Sequence, residues 1–384
     1  MSETDPKAGK NILLLGFVSL LNDISSEIIQ PVLPLFISSL GAGSLAVGLI
    51  GGISDGLPSI LKIFSGCWSD RLGKRKPLVV AGYALSALGK LLLPAASAWQ
   101  HVFLVKVLER SGKGIRSAPR DAMISESASA ERRGRGFGLH RAMDSAGAVM
   151  GSLLAYLLWQ GGLSYSSIFL VAGLMSMLAL LPFSHVKESY SAPACPPAEL
   201  KLSGLSPELR GFLAVACLFA AGNFSYMFFI LRAQGLFSGA MAVAAPLLLY
   251  VLFNLVYALF AMPVGIWSDR VGRKKVLVLG YALFAAVALG FAFVSSTAGL
   301  VVLFALYGLV YALVDGSEKA YVSDLSPESL RGSSLGIYYG AVGLAAIASS
   351  LAAGTIWSAW GAEAAFLFGS GTAGLATVVL LNKK

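Results

Sequence analysis

The stretch Gly66-Cys67-Trp68-Ser69-Asp70-Arg71-Leu72-Gly73-Lys74-Arg75-Lys76 returns 199 positions later as Gly265-Ile266-Trp267-Ser268-Asp269-Arg270-Val271-Gly272-Arg273-Lys274-Lys275. Each copy follows one apolar run and precedes another. Downstream the displacement settles at 198. Gly82-Tyr83-Ala84-Leu85 matches Gly280-Tyr281-Ala282-Leu283, and Ser125-Glu126, Arg133-Gly134 and Gly138 match Ser323-Asp324, Arg331-Gly332 and Gly336. A repeat of this length that carries several apolar runs is an internal duplication, and it predicts two related helical bundles.

Composition says what kind of bundles. Of 384 residues, 56% are hydrophobic and only 13% charged, with a mean hydropathy of +0.75. Soluble domains carry about 25% charged residues. Apolar runs of about 20 residues recur along the chain, which predicts an all-α, polytopic membrane protein. Twelve spans are expected, six in each half: 11–38, 45–68, 77–96, 102–125, 137–159 and 166–183, then 212–232, 242–267, 276–294, 299–322, 334–357 and 362–381. The predicted bundles are 1–184 and 211–384. Between them 185–210 holds Pro193, Pro196, Pro197 and Pro207 among polar residues, the composition of a linker.

The net charge of +9 does not point to nucleic acid, because Lys and Arg gather in alternate short connections. These hold Arg71, Lys74, Arg75 and Lys76, then Arg132, Arg133 and Arg135, then Arg270, Arg273, Lys274 and Lys275, then Arg331. The intervening connections 97–101, 159–166 and 295–299 have none. By the positive-inside rule both termini are cytoplasmic, in an inner or plasma membrane. The first apolar run is too long for a signal-peptide core. Three cysteines and three histidines are dispersed, so neither a disulfide nor a metal site is expected.

One span breaks the apolar pattern. From Lys106 to Arg120 it carries Lys106, Glu109, Arg110, Lys113, Arg116 and Arg120, and positions 109, 113, 116 and 120 fall on one helical face. Each such cation facing lipid would cost about 2.5–3.5 kcal/mol on insertion scales, so the face turns to protein or to a wet cavity. Three other spans carry polar groups at helical spacing. Span one has Asp23 and Glu27, span seven Asn223 and Tyr226, and span ten Tyr307, Tyr311, Asp315 and Glu318. Asp23 and Glu27 are either static partners of the cations or titrating proton carriers. The surplus of cations on span four suits an acidic group on a substrate; internal pairing with Asp23, Glu27, Glu109, Asp121 and Asp144 is the alternative.

The paired loops, each of the form Gly-x-x-x-Asp-Arg-x-Gly followed by three basic residues, resemble those of the major facilitator superfamily of secondary transporters, and the resemblance covers essentially the whole chain. It implies alternating access between two rocking six-helix bundles, with spans one, four, seven and ten around a central cavity. It implies that Asp70 and Asp269 cap a neighbouring helix and pair with Arg, latching the cytoplasmic side with Gly66, Arg71, Gly73, Arg75, Arg270, Gly272 and Arg273 as parts of the gate. The bland reading makes these cations topology anchors only. Arg110, with Gly112 and Gly114 after it, matches the Arg that such transporters associate with proton coupling. Span five, with His140, Arg141, Asp144 and the pair Gly147 and Gly151, is similar to the family's antiporter motif, but Ser152 and Ala155 depart from it. Arg141 and Asp144 are expected to form either a salt-bridged gate or a plain structural pair.

No Gly-x-x-x-x-Gly-Lys stretch indicates an ATP-driven pump, and no nucleophile and base stand together in the sequence, so an enzyme is not expected and no cofactor is called for. The expectation is a monomeric secondary transporter, exporting a small anionic or zwitterionic organic solute by proton antiport. Symport or uniport of an anionic metabolite or metal chelate is the alternative within transport. A receptor or assembly factor that lost transport is the alternative outside it.

Overall fold

The computed structural model describes residues 6–127, 133–188, 205–327 and 330–383. Among them the regular structure is helical, with no strand. The first half contributes α1 (Pro6–Ser39), α2 (Ser44–Leu72), α3 (Lys76–Leu92), α4 (Trp99–Glu126), α5 (Arg133–Gln160) and α6 (Tyr165–Leu178). The second contributes α7 (Pro207–Gly222), α8 (Met227–Gln234), α9 (Met241–Val271), α10 (Arg273–Phe293), α11 (Thr297–Asp324) and α12 (Arg331–Asn382).

Among the described residues ten stretches are long and apolar enough to cross a membrane, against the twelve expected. Two physical reasons account for the difference. Span four is α4, whose charges remove it from any test by composition. Spans eleven and twelve run together as α12, which turns at Gly361 in a positive-φ conformation (φ 88°). Span seven is also not one helix: it breaks between α7 and α8, so Asn223 and Tyr226 flank a break instead of sharing a helical face.

Local signals set the helix ends. Ser206 caps α7 by accepting from Leu209 N at 3.2 Å, with Pro207 at the first helical position. Ser164 and Ser296 cap α6 and α11 in the same way. The repeated loops turn at Gly73 (φ 62°) and Gly272 (φ 101°), a region closed to most side chains.

Contacts gather the chain into two compact units: Met1–Val32 with Leu57–Ala198, and Leu33–Gly56 with Glu199–Lys384. The division cuts α1 and α2 because the first half of α2 packs on α12. A Cβ on Gly52 would stand 3.0 Å from Ile347 O, and Ser44 Oγ donates to Gly354 O at 3.1 Å. The first unit has a core of aliphatic residues with Tyr83 and Phe183. The second is built on aromatic rings, with Phe229 stacked on Tyr307 (4.1 Å) and Phe219 on Tyr281 (3.9 Å). Leu104, Met262, Phe293 and Trp360 are exposed, as lipid-facing positions require. Most of the expected linker, 189–204, and Arg132 of the basic loop lie outside the described residues.

Candidate functional site: two buried polar networks

In the first unit α4 approaches α3 closely. A Cβ on Gly112 would meet Ser86 Oγ at 2.6 Å, and one on Gly82 would meet Gly112 O at 2.7 Å. That approach seats Arg116 on α3. Its guanidinium donates to Ser86 Oγ at 2.7 Å and lies 4.1 Å from the centre of the Tyr83 ring. Two to three turns earlier Lys106 is ion-paired with Glu109, and Arg110 Nε stands 3.9 Å from the same carboxylate. All three are buried, and removing any one of them would leave the others as uncompensated buried charge.

The two glycines of span five bring α5 onto α1 at the predicted acids. A Cβ on Gly147 would lie 3.2 Å from the Asp23 Cβ, and one on Gly151 2.7 Å from that of Glu27. Asp144 therefore stands in the field of Asp23. Its nearest side-chain partner is His140, one turn back (Nδ1 to Oδ2, 3.3 Å), and not the expected Arg141, which is exposed. A partner at i, i+4 lies more directly over Asp144 than one at i, i+3 here, because His140 turns inward. Its other nitrogen is 2.8 Å from Ser19 Oγ. That hydroxyl is a hub: Tyr83 OH is 3.0 Å away and Arg120 donates to it at 3.1 Å. Arg120 also pairs with Asp121 at 2.9 Å, and Asp121 with Lys62 at 3.6 Å. Glu27 accepts from Gln30 on the next turn. Lys113 is exposed, in the field of Asp23 and Glu27.

The order Asp144, His140, Ser19 is that of a hydrolase triad, a constellation that residue spacing does not reveal. Ser19 is nonetheless wholly buried and its oxygen already accepts from Arg120, so no carbonyl can reach it. The arrangement suits moving or holding a proton between a carboxylate and a hydroxyl, with the imidazole between them.

In the second unit Asn223 caps the end of α7, its N–H reaching Phe219 O at 2.9 Å, while its buried Oδ1 has no hydrogen-bond partner. Tyr226 immediately precedes α8, with its ring 5.5 Å from that of Tyr250. Asp315 pairs with Lys319 at 2.5 Å and accepts from Tyr257 OH at 3.2 Å. Glu318 is buried and accepts from two phenols, Tyr281 OH at 2.5 Å and Tyr338 OH.

The repeated loops form matching clamps within their own units. Arg75 bridges Asp70 (3.1 Å) and Glu126 (2.8 Å); Arg273 bridges Asp269 (2.9 Å) and Asp324 (2.5 Å). Arg71 and Arg270 are exposed. A Cβ on Gly66 would lie 3.5 Å from that of Ala118 on α4, whereas Gly265 faces open space. The acid at the start of α3 is Glu188, which accepts from Arg75 N (2.8 Å) and Lys76 N (3.1 Å), not Asp70. Sequence reading also missed Lys90 in span three. The signal was present, since a lone charge within an apolar span is rarely idle.

A sequence model described as the Major Facilitator Superfamily matches residues 15–229 and 247–384. An uncharacterized MFS-type transporter of Methanocaldococcus jannaschii is 45% identical over 390 residues, covering 99% of this chain and 96% of the relative. The multidrug resistance protein MdtH of Photorhabdus laumondii is 32% identical over 178 residues, 45% of this chain and 44% of that protein. Among solved structures a point mutant of the nucleoside transporter NupG superposes with a TM-score of 0.80 at 15% identity, covering 97% of this chain and 99% of that one. The human organic anion transporter MFSD10 superposes at 0.70 and 18% identity, covering 98% and 100%. With apolar helices in two compact units, duplicated Asp-Arg clamps and matches along nearly its whole length, the chain belongs to the Major Facilitator Superfamily of multi-pass membrane transporters.

Proposed function

We propose that this transporter exports a small anionic or zwitterionic organic solute from the cytoplasm in exchange for protons. The observation that carries the reading is the charge layer of the first unit. Between positions 106 and 121, α4 sets five cations against two acids. Beside it Asp144, His140 and Ser19 form a hydrogen-bonded line next to Asp23. Fixed cations recognise a carboxylate or phosphate. A carboxylate pair beside an imidazole holds and passes a proton. Asp23, Glu27 and the Asp144–His140 pair carry the proton; Arg110, Lys113, Arg116 and Arg120 supply the field that draws the anion. Asn223, Tyr226, Asp315 and Glu318 line the solute path of the second half, and the Arg75 and Arg273 clamps hold the cytoplasmic ends. The partial relative named for multidrug resistance supports the outward direction. The protein works as a monomer in the inner membrane, and its basic loops support an orientation with both termini cytoplasmic.

The test is transport in inverted vesicles with a panel of organic anions and zwitterions, with and without a pH gradient. Antiport gives solute-dependent proton release from preloaded vesicles. Glu27→Gln is expected to abolish proton-driven transport, by more than about tenfold, while solute exchange across the membrane persists. Proton-driven flux that is undiminished in this variant removes Glu27 from the mechanism. Flux that ignores collapse of the gradient replaces antiport with uniport.

A further inference from the structure

Lys90 is the one charge on span three, and it is 1% exposed. Its Nζ is 2.9 Å from Ser26 Oγ, 3.0 Å from Ser25 Oγ and 3.3 Å from both the backbone oxygen and Oδ1 of Asn22. All four oxygens belong to about one turn of α1. Their own protons are committed elsewhere: Ser25 donates to Ala172 O at 2.5 Å and Ser26 to Asn22 O at 2.9 Å. The Asn22 amide nitrogen points to Asp23 Oδ1 at 3.4 Å, leaving Oδ1 toward the lysine. The cage therefore offers acceptors only. A neutral amine would turn a lone pair on one of them, whereas an ammonium has donors alone.

No carboxylate oxygen comes within 4.0 Å of Nζ among the described residues. The acids whose field reaches it are Glu109, already held by Lys106 and Arg110, and Asp23 on the same turn of α1; the cations are Arg116 and Lys106. The charge of Lys90 is thus met by oxygen dipoles, the way a dehydrated monovalent ion is met by carbonyls and hydroxyls. The distances fit an ammonium-sized ion and exceed those of Ca²⁺ (about 2.3–2.6 Å) or Mg²⁺ (about 2.0–2.1 Å).

We propose that the Asn22–Ser25–Ser26 turn of α1 is a monovalent-cation site and that the Lys90 ammonium occupies it as a tethered cation. The tether makes Lys90 a positioning residue. It holds the turn that carries Asp23 in place without any ion from solution. Removing the side chain but not the cage exposes the latent site to free cations of similar size.

The experiment uses the full-length protein with Lys90→Ala, purified in detergent, and follows its unfolding midpoint in ammonium, methylammonium or tetramethylammonium chloride at equal ionic strength. The expected result is a midpoint below wild type in tetramethylammonium, which is too large for the cage. Ammonium should raise it saturably by about 3 °C or more, methylammonium by less, with no such response in wild type. Adding Ser25→Ala and Ser26→Ala to Lys90→Ala should abolish the response. An ammonium response equal to that of wild type overturns the proposal. If Lys90→Ala is too unstable to melt, recovery of monodisperse protein is scored instead: recovery in ammonium but not in tetramethylammonium supports the site, and aggregation in both overturns it. The melting readout is independent of which solute is transported, so it stands or falls apart from the antiport reading.

Discussion

Four positions recur around a polar knot in each half: Ser19, Tyr83, Arg120 and His140 in the first, and Cys217, Tyr281, Glu318 and Tyr338 in the second, every pair 198 residues apart. The two sets are wired differently. In the first the hub is an uncharged hydroxyl. Ser19 gathers Tyr83, His140 and Arg120, and the lines run outward to Asp144, Asp121 and Lys62. In the second the hub is the Glu318 carboxylate, each oxygen of which accepts one phenol, and Cys217 only stands in its field. One knot is open and carries several charges; the other is closed around one. Duplication preserved the place of a polar knot while reversing the sign of its charge. A guanidinium has donors only, and Arg120 shares them between the Ser19 hydroxyl and the Asp121 carboxylate. A carboxylate is satisfied by neutral O–H donors, so Glu318 needs no ion partner.

Substitutions at the two hubs test this contrast, the second knot giving the largest effect. Glu318→Ala strands two buried phenols and is expected to cost about 2–6 kcal/mol, from about 1–3 kcal/mol for each unsatisfied group. Glu318→Gln keeps one acceptor and an amide that donates to the other phenol, and should cost less than about half as much. Equal losses for the two in thermal or denaturant unfolding would mean that the phenols do not depend on Glu318.

The mirrored pair Ser19 and Cys217 gives the next effect. Ser19→Ala removes the common partner of three groups and should cost about 1–3 kcal/mol. Cys217→Ala removes a thiol with no comparable role and should cost about 1 kcal/mol or less. Similar unfolding midpoints for these two variants would break the distinction between the hubs.

The clamps differ least. Arg75 is 14% exposed and joins acids 32% and 24% exposed, whereas Arg273 is 26% exposed and joins acids 62% and 54% exposed. Solvent screens the second clamp more. Arg75→Ala is expected to cost about 1 kcal/mol and Arg273→Ala about half that, with the smaller loss vanishing in high salt. A larger, salt-insensitive loss for Arg273→Ala would reverse the ranking.

How much of this was legible depends on the kind of residue. The charged face of α4 was readable because charge within an apolar chain is costly and helical spacing is regular. The close contact of α5 was readable from Gly147 and Gly151, whose spacing permits backbones to approach. The partners were not. Arg75 aligns with Lys274 at the 199 displacement of the loop, yet the arginine that does the same work is Arg273, because α10 starts two residues earlier relative to the loop than α3 does. Spacing alone pairs Asp144 with Arg141, whereas the inward turn of His140 places its ring 3.3 Å from that carboxylate. Glu188 reaches the start of α3 from 112 residues away, a contact no local pattern encodes.

By itself the amino-acid sequence determined that the chain is helical and membrane-spanning, that it is duplicated, and that its charges lie at defined heights on a few helices. These follow from composition, period and the cost of placing charge in lipid. Only the tertiary structure decided which charges share a partner, where span seven breaks, and that Lys90 sits in a cage of oxygens on α1. Those outcomes depend on distances between helices of a few ångströms, set by glycines and by packing, and hydrogen-bond partnership changes over less than one.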